Sequence, residues 1–155
     1  MEGEPYIQGS APYVDAAIDW ARQTGLKVWI DVHGAPGSQN GFDNSGHRIK
    51  TPGWESGDSV KQIREVIQFL ANKYAQPSYQ DVVAAIELLN EPLASALEST
   101  DTLVQFYKDG YGDVRSVSDT PVVLHDAFEQ GGYWNDILAP PGARNGQSYN
   151  PLSEE

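Results

Sequence analysis

The chain has 155 residues, 39% of them hydrophobic, and 10 Lys and Arg set against 22 Asp and Glu leave a net charge of -12. That is long enough to bury one core and too apolar for a disordered segment, while the acidic balance, with no basic cluster, argues against nucleic acid as a partner. Zero cysteines exclude a disulfide framework and thiolate metal sites without fixing the compartment. No stretch approaches the roughly 20 apolar residues of a membrane span. The first five residues lack the basic and apolar regions of a secretory signal, so the chain as written carries no export address.

Val14, Ala17, Ile18 and Ala21 recur at helical spacing and Gly25 follows as a C-cap, which predicts a helix over residues 13–24. The β-rich run 28–32 then predicts a strand that ends at His33-Gly34, followed by a long polar loop over residues 35–46 crowded with Gly, Pro, Ser and Asn. After Pro52-Gly53, the spacing of Val60, Ile63, Ile67, Leu70 and Tyr74 predicts a second helix with Asp58 or Ser59 as its N-cap. Residues 83–89 predict a second strand, closed by Asn90-Glu91-Pro92. A third helix follows Thr100-Asp101 and carries Leu103, Phe106, Tyr107 and Val114 inward, and residues 121–125 predict a third strand. Residues 139–155 lose the pattern and read as loop or disorder. Helix and strand alternate, and the strands are nearly continuous apolar runs. That pattern predicts an α/β fold with a parallel sheet, either doubly wound or part of a (β/α)₈ barrel.

Polar residues stand after every predicted strand: His33 after the first, Asn90 and Glu91 after the second, His125 and Asp126 after the third. In parallel α/β folds the carboxyl ends of strands are where substrates meet reactive groups. A carboxylate near apolar walls and imidazoles suits a general acid, and a neighbouring amide can grip a hydroxyl. Each residue alone has a plainer role, as a structural hydrogen-bonding histidine or a helix N-terminal glutamate. The loop segment 39–46 mixes amides, the Asp43 carboxylate and the Phe42 ring, a combination that binds sugars and is also ordinary turn chemistry. Glu87 reads as a buried, paired structural carboxylate.

The run 28–46, the segment Ile86-Glu87-Leu88-Leu89-Asn90-Glu91-Pro92-Leu93 and His125-Asp126-Ala127-Phe128 closely resemble the fungal exo-β-1,3-glucanases of glycoside hydrolase family 5. The long first motif is the specific one, since Asn-Glu-Pro is shared across many family 5 enzymes. The resemblance spans residues 4–134 and implies that residues 1–138 are part of a (β/α)₈ TIM barrel, with the three strands standing for the third to fifth. Residues 139–155 are then an unstructured or non-family tail. The resemblance further implies that Glu91 is the catalytic acid/base and Asn90 holds the sugar 2-hydroxyl. By the same resemblance His33, Phe42 and Asp43 bind substrate, and His125 and Phe128 line the same cleft. No cofactor and no metal are implied. The implied partner is β-1,3-glucan, the implied location extracellular or cell-wall, and the implied parent a monomer.

A retaining glycosidase needs a second carboxylate about 5–5.5 Å from the first as nucleophile. In the family it comes from a later strand, for which this sequence has no counterpart. The reading is therefore a truncated piece of a retaining enzyme that releases glucose from non-reducing ends of β-1,3-glucan, inactive alone. Two alternatives stand beside it: a non-catalytic β-glucan-binding remnant, and a metal hydrolase using Asp31, His33, Glu91 and His125.

Overall fold

The computed structural model describes residues 9–138, so the expectation for residues 139–155 lies outside the described part. Helix α1 spans Ala11–Thr24, β1 Val28–Asp31, α2 Ser59–Tyr74, β2 Val83–Glu87, α3 Thr100–Arg115, β3 Val122–Val123 and α4 Asn135–Leu138. The strands form one parallel sheet in the order β1-β2-β3. Consecutive strands joined through helices on one side make two successive βαβ units.

Local chemistry accounts for the element ends. Helix α1 starts two residues earlier than its apolar spacing indicates because Pro12 fits the first turn, where its missing N–H is no loss. It stops at Gly25, whose φ of 72° only glycine adopts without strain. Asp58 precedes α2 without capping it through its side chain, so the cap expected there is absent. Ser99 does cap α3, its Oγ accepting from the Asp101 amide at 3.1 Å. Strand β3 is far shorter than the predicted 121–125, since its ladder rests on Ile86 N donating to Pro121 O and Leu88 N to Val123 O before the chain turns away. The short α4 had no periodic signal in the sequence.

Ile30 and its register partner Ile86 face the helices, and Leu88 reaches α3 at Gly110, where an added Cβ would lie 2.8 Å from Leu88 Cδ1. These side chains bury against Ile63 and Ile67 of α2 and Leu103, Phe106 and Tyr107 of α3. Each such side chain contributes about 1.5–3 kcal/mol when withdrawn from water. Polar clamps fix the helix layer. Arg64 of α2 grips Asp113 through two bonds of 2.9 and 3.0 Å and reaches Asp109 at 3.0 Å, while Asp15 of α1 takes bonds of 2.8 Å from both Lys73 and Tyr74 of α2. Side chains alternate along a strand, so Trp29, Asp31, Ala85 and Glu87 leave the opposite face. Among the described residues no helix covers that face, and Trp29 is 55% exposed on it.

Candidate active site

Because the strands are parallel, His33, Asn90-Glu91 and His125-Asp126 all follow carboxyl ends at one edge of the sheet, as their positions in the sequence indicate. The loop after β1 binds the first two together. Gln39, fully buried, accepts from the Ala35 amide at 3.0 Å and donates to the carbonyls of His33 at 3.0 Å and Asn90 at 2.7 Å. Asn40 donates to the Glu91 carbonyl at 2.9 Å and accepts from the Phe42 amide at 2.8 Å. Asn44 then donates to Glu91 Oε2 at 2.7 Å. The third strand end joins through Ala94 N, which donates to Ala127 O at 3.3 Å.

Tight backbone packing sets the loop's path. A Cβ on Gly37 would lie 2.7 Å from the Gly53 carbonyl group, and one on Gly41 2.6 Å from Ile49 O. Trp54 anchors the returning segment edge-on against Phe106 at 5.4 Å. Backbone strain gathers at the same end of the sheet: Ser38, Glu91, Ala127 and Phe128 have φ of 60°, 48°, 57° and 61°. Such positions cost on the order of 1–3 kcal/mol each and persist only where their surroundings over-determine them, typically at sites.

The two site histidines are held differently. His33 Nδ1 lies 2.5 Å from Asp31 Oδ2 and so carries the proton it donates, which leaves Nε2 as the acceptor on a ring that is 56% exposed. His125 Nδ1 accepts from the Ala127 amide at 3.0 Å, which puts its proton on Nε2. Its ring meets Phe128 at 5.0 Å, and its carbonyl accepts from Tyr107 Oη at 2.7 Å. The arrangement offers one imidazole acceptor and one imidazole donor at the same edge of the sheet as the Glu91 carboxylate.

Three readings from the sequence change. Gln39 and Asn40 spend their amides on loop backbone, whereas the Phe42 ring and the Asp43 carboxylate of segment 39–46 are exposed. Those two, with Gly41, Arg48, Ile49 and Lys50, line an open cavity of about 690 Å³ that Glu91, His33 and His125 do not border. Glu87 is half-buried but not ion-paired, since no Lys or Arg of the described residues meets it. Burial first, then the Asp31 charge, push its carboxyl up to about 7, with His33 pulling it down and Glu91 adding to the rise. Asp31, His33, Glu91 and His125 do not gather as metal ligands: among the described residues no group of three or more such side chains could hold an ion.

The βα repeats with polar residues collected at the carboxyl ends define a partial α/β barrel. Solved structures agree on the fold. Rutinosidase from Aspergillus niger aligns with a TM-score of 0.76 at 18% identity over 88% of this chain and 42% of that one. Endo-glycoceramidase II from Rhodococcus sp. aligns with a TM-score of 0.56 at 20% identity over 79% and 37%. The profile described as Cellulase (glycosyl hydrolase family 5) matches residues 6–150, and the chain belongs to that family. It is 53% identical over 138 residues to a glucan 1,3-beta-glucosidase of Blumeria graminis and 49% identical over 139 residues to one of Schwanniomyces occidentalis. Each match covers 89% of this chain and 32% of the relative, so the chain spans about a third of the length of the curated relatives it matches.

Proposed function

We propose that this chain is the acid/base-bearing piece of a retaining exo-β-1,3-glucanase, with Glu91 as general acid and base. The observation that carries this reading is the treatment of Glu91. It sits in left-handed backbone at the end of β2, its carbonyl is held by Asn40 and one carboxylate oxygen by Asn44, and His33 and His125 follow the neighbouring strands. A carboxyl so fixed can protonate a departing glycosidic oxygen and later draw a proton from water. Asn90 and His33 bind hydroxyls of the sugar at the cleavage point, and His125 and Phe128 line the same cleft. The exposed ring of Phe42 stacks on a neighbouring pyranose and Asp43 pairs with its hydroxyls. The nucleophile comes from a part of the relatives' length that this chain does not span, so the chain alone binds glucan without turning it over. Its substrate class and its relatives support a working location for the active protein at the cell wall or outside the cell.

The test is a chimaera in which this chain replaces the corresponding 138-residue segment of the Blumeria graminis relative. The chimaera should release glucose from β-1,3-glucan. Glu91→Gln in it should lower that rate by roughly 10²–10⁴-fold, the usual worth of general acid catalysis. An aryl glucoside, whose leaving group needs no proton, should lose far less in the glycosylation step, and azide should restore the second step. Equal losses on both substrates with no azide rescue would remove Glu91 from the role. Turnover of glucan by the isolated chain would refute the missing nucleophile.

A further inference from the structure

Asp31 Oδ1 is buried without a hydrogen-bond partner among the described residues, although its other oxygen holds His33 Nδ1 at 2.5 Å. A buried orphan acceptor calls for an explanation. Across the sheet, the register partner of Asp31 is Glu87. Register partners on adjacent parallel strands stand about 4.8 Å apart and send their side chains out of the same face. Two carboxylates so placed, both partly withdrawn from water, repel one another too strongly for both to be charged at low cost. The groups facing Glu87 are Asp31 and His33 from the β1 side, Glu91 from beyond its own strand and Tyr107 from α3. From β3 it meets Val123, an apolar residue.

We infer that Asp31 and Glu87 carry one negative charge between them, and that this pair is the positioning device for His33, fixing its ring so that Nε2 accepts from a substrate hydroxyl. The charge stays on Asp31, which an N–H of His33 stabilises, and the proton stays on Glu87, which meets no Lys, Arg or hydrogen-bond donor among the described residues. The raised carboxyl of Glu87 agrees with that division. No proton moves between the residues during a reaction. The pair acts by keeping His33 in the Nδ1–H tautomer, the one that ordinary imidazole does not favour.

The inference rests on reading this end of the sheet as a sugar site, but its test needs neither sugar nor turnover, so the two fail separately. Nitrogen-15 spectra of this chain should show His33 mainly as the Nδ1–H tautomer, with exposed His47 as the reference for an unconstrained ring. Carbon-13 spectra should show the Glu87 carboxyl titrating near 7. Asp31→Asn should lower the Glu87 midpoint toward the ordinary glutamate range and turn His33 mainly to the Nε2–H tautomer. Glu87→Gln, which mimics the protonated acid, should leave the tautomer as it is. A wild-type His33 that matches His47, a Glu87 midpoint in the ordinary range, or a tautomer indifferent to Asp31→Asn would each overturn the inference.

Discussion

Glu91 is forced into its backbone geometry from two directions. It precedes Pro92, whose ring normally drives the preceding residue to extended backbone, yet it holds φ 48°. The opposing restraint comes from Gln39 and Asn40, which hold the carbonyls of Asn90 and Glu91, one on either side of the Glu91 Cα. Gln39 should therefore matter more to the fold than any exposed site residue. Gln39→Leu keeps the volume but removes the donor to the His33 and Asn90 carbonyls, and each unsatisfied buried group costs about 1–3 kcal/mol. Urea unfolding should show a loss of roughly 2–5 kcal/mol, with faster amide exchange at Asn90. A loss under about 0.5 kcal/mol would mean that the loop holds the strand ends by other means.

At the scale of elements, the contact between α3 and β2 pits helix propensity against packing. Gly110→Ala gains about 0.8–1 kcal/mol of intrinsic helix stability. The new methyl, however, would stand 2.8 Å from Leu88 Cδ1, and Leu88 is fully buried with little room to retreat. Overpacking of that kind costs about 1–3 kcal/mol, so the net effect should be a loss of about 1 kcal/mol. Leu88→Ala alone should cost about 2–5 kcal/mol, and combined with Gly110→Ala it should cost less than the two summed, since the methyl fills part of the hole. Additive losses in calorimetry would deny the contact.

The same elements show what was legible beforehand. The three long helices and three strands could be placed because apolar spacing reports which face is buried, and Gly25 marked a helix end by residue type alone. The short reach of β3 could not be read, because the apolar run 121–124 says nothing about how many of its backbone groups find a partner. Gathering His33, Glu91 and His125 at one edge needed only parallel strands. The positive φ of Glu91, Ala127 and Phe128 left no trace, as none is a residue type that favours it. Glu87 was misread for a related reason: a carboxylate in an apolar strand suggests a cation, whereas only the register shows that its neighbour is Asp31.

At the largest scale, the governing fact is a parallel sheet that the described residues cover on one face. Parallel sheets are stable when both faces are covered, and here Trp29 lies open on the bare face while β1 offers an unpaired edge. Trp20 of α1, 64% exposed, extends the apolar surface to the outer layer. Relatives about three times as long have further chain with which to close such a sheet. The isolated chain should instead close it on copies of itself, against the repulsion of a net charge of -12. Salt screens that repulsion to about 10 Å at 0.1 M and about 3 Å at 1 M and leaves the apolar attraction in place. Sedimentation velocity should therefore show association that grows with protein concentration and with salt, opposite to the trend for an interface held by charge pairs. Trp29→Glu should shift the distribution toward monomer by adding charge to the exposed face. A wild-type chain that stays monomeric in high salt and melts in one sharp cooperative transition would show that three strands and their helices suffice as a domain.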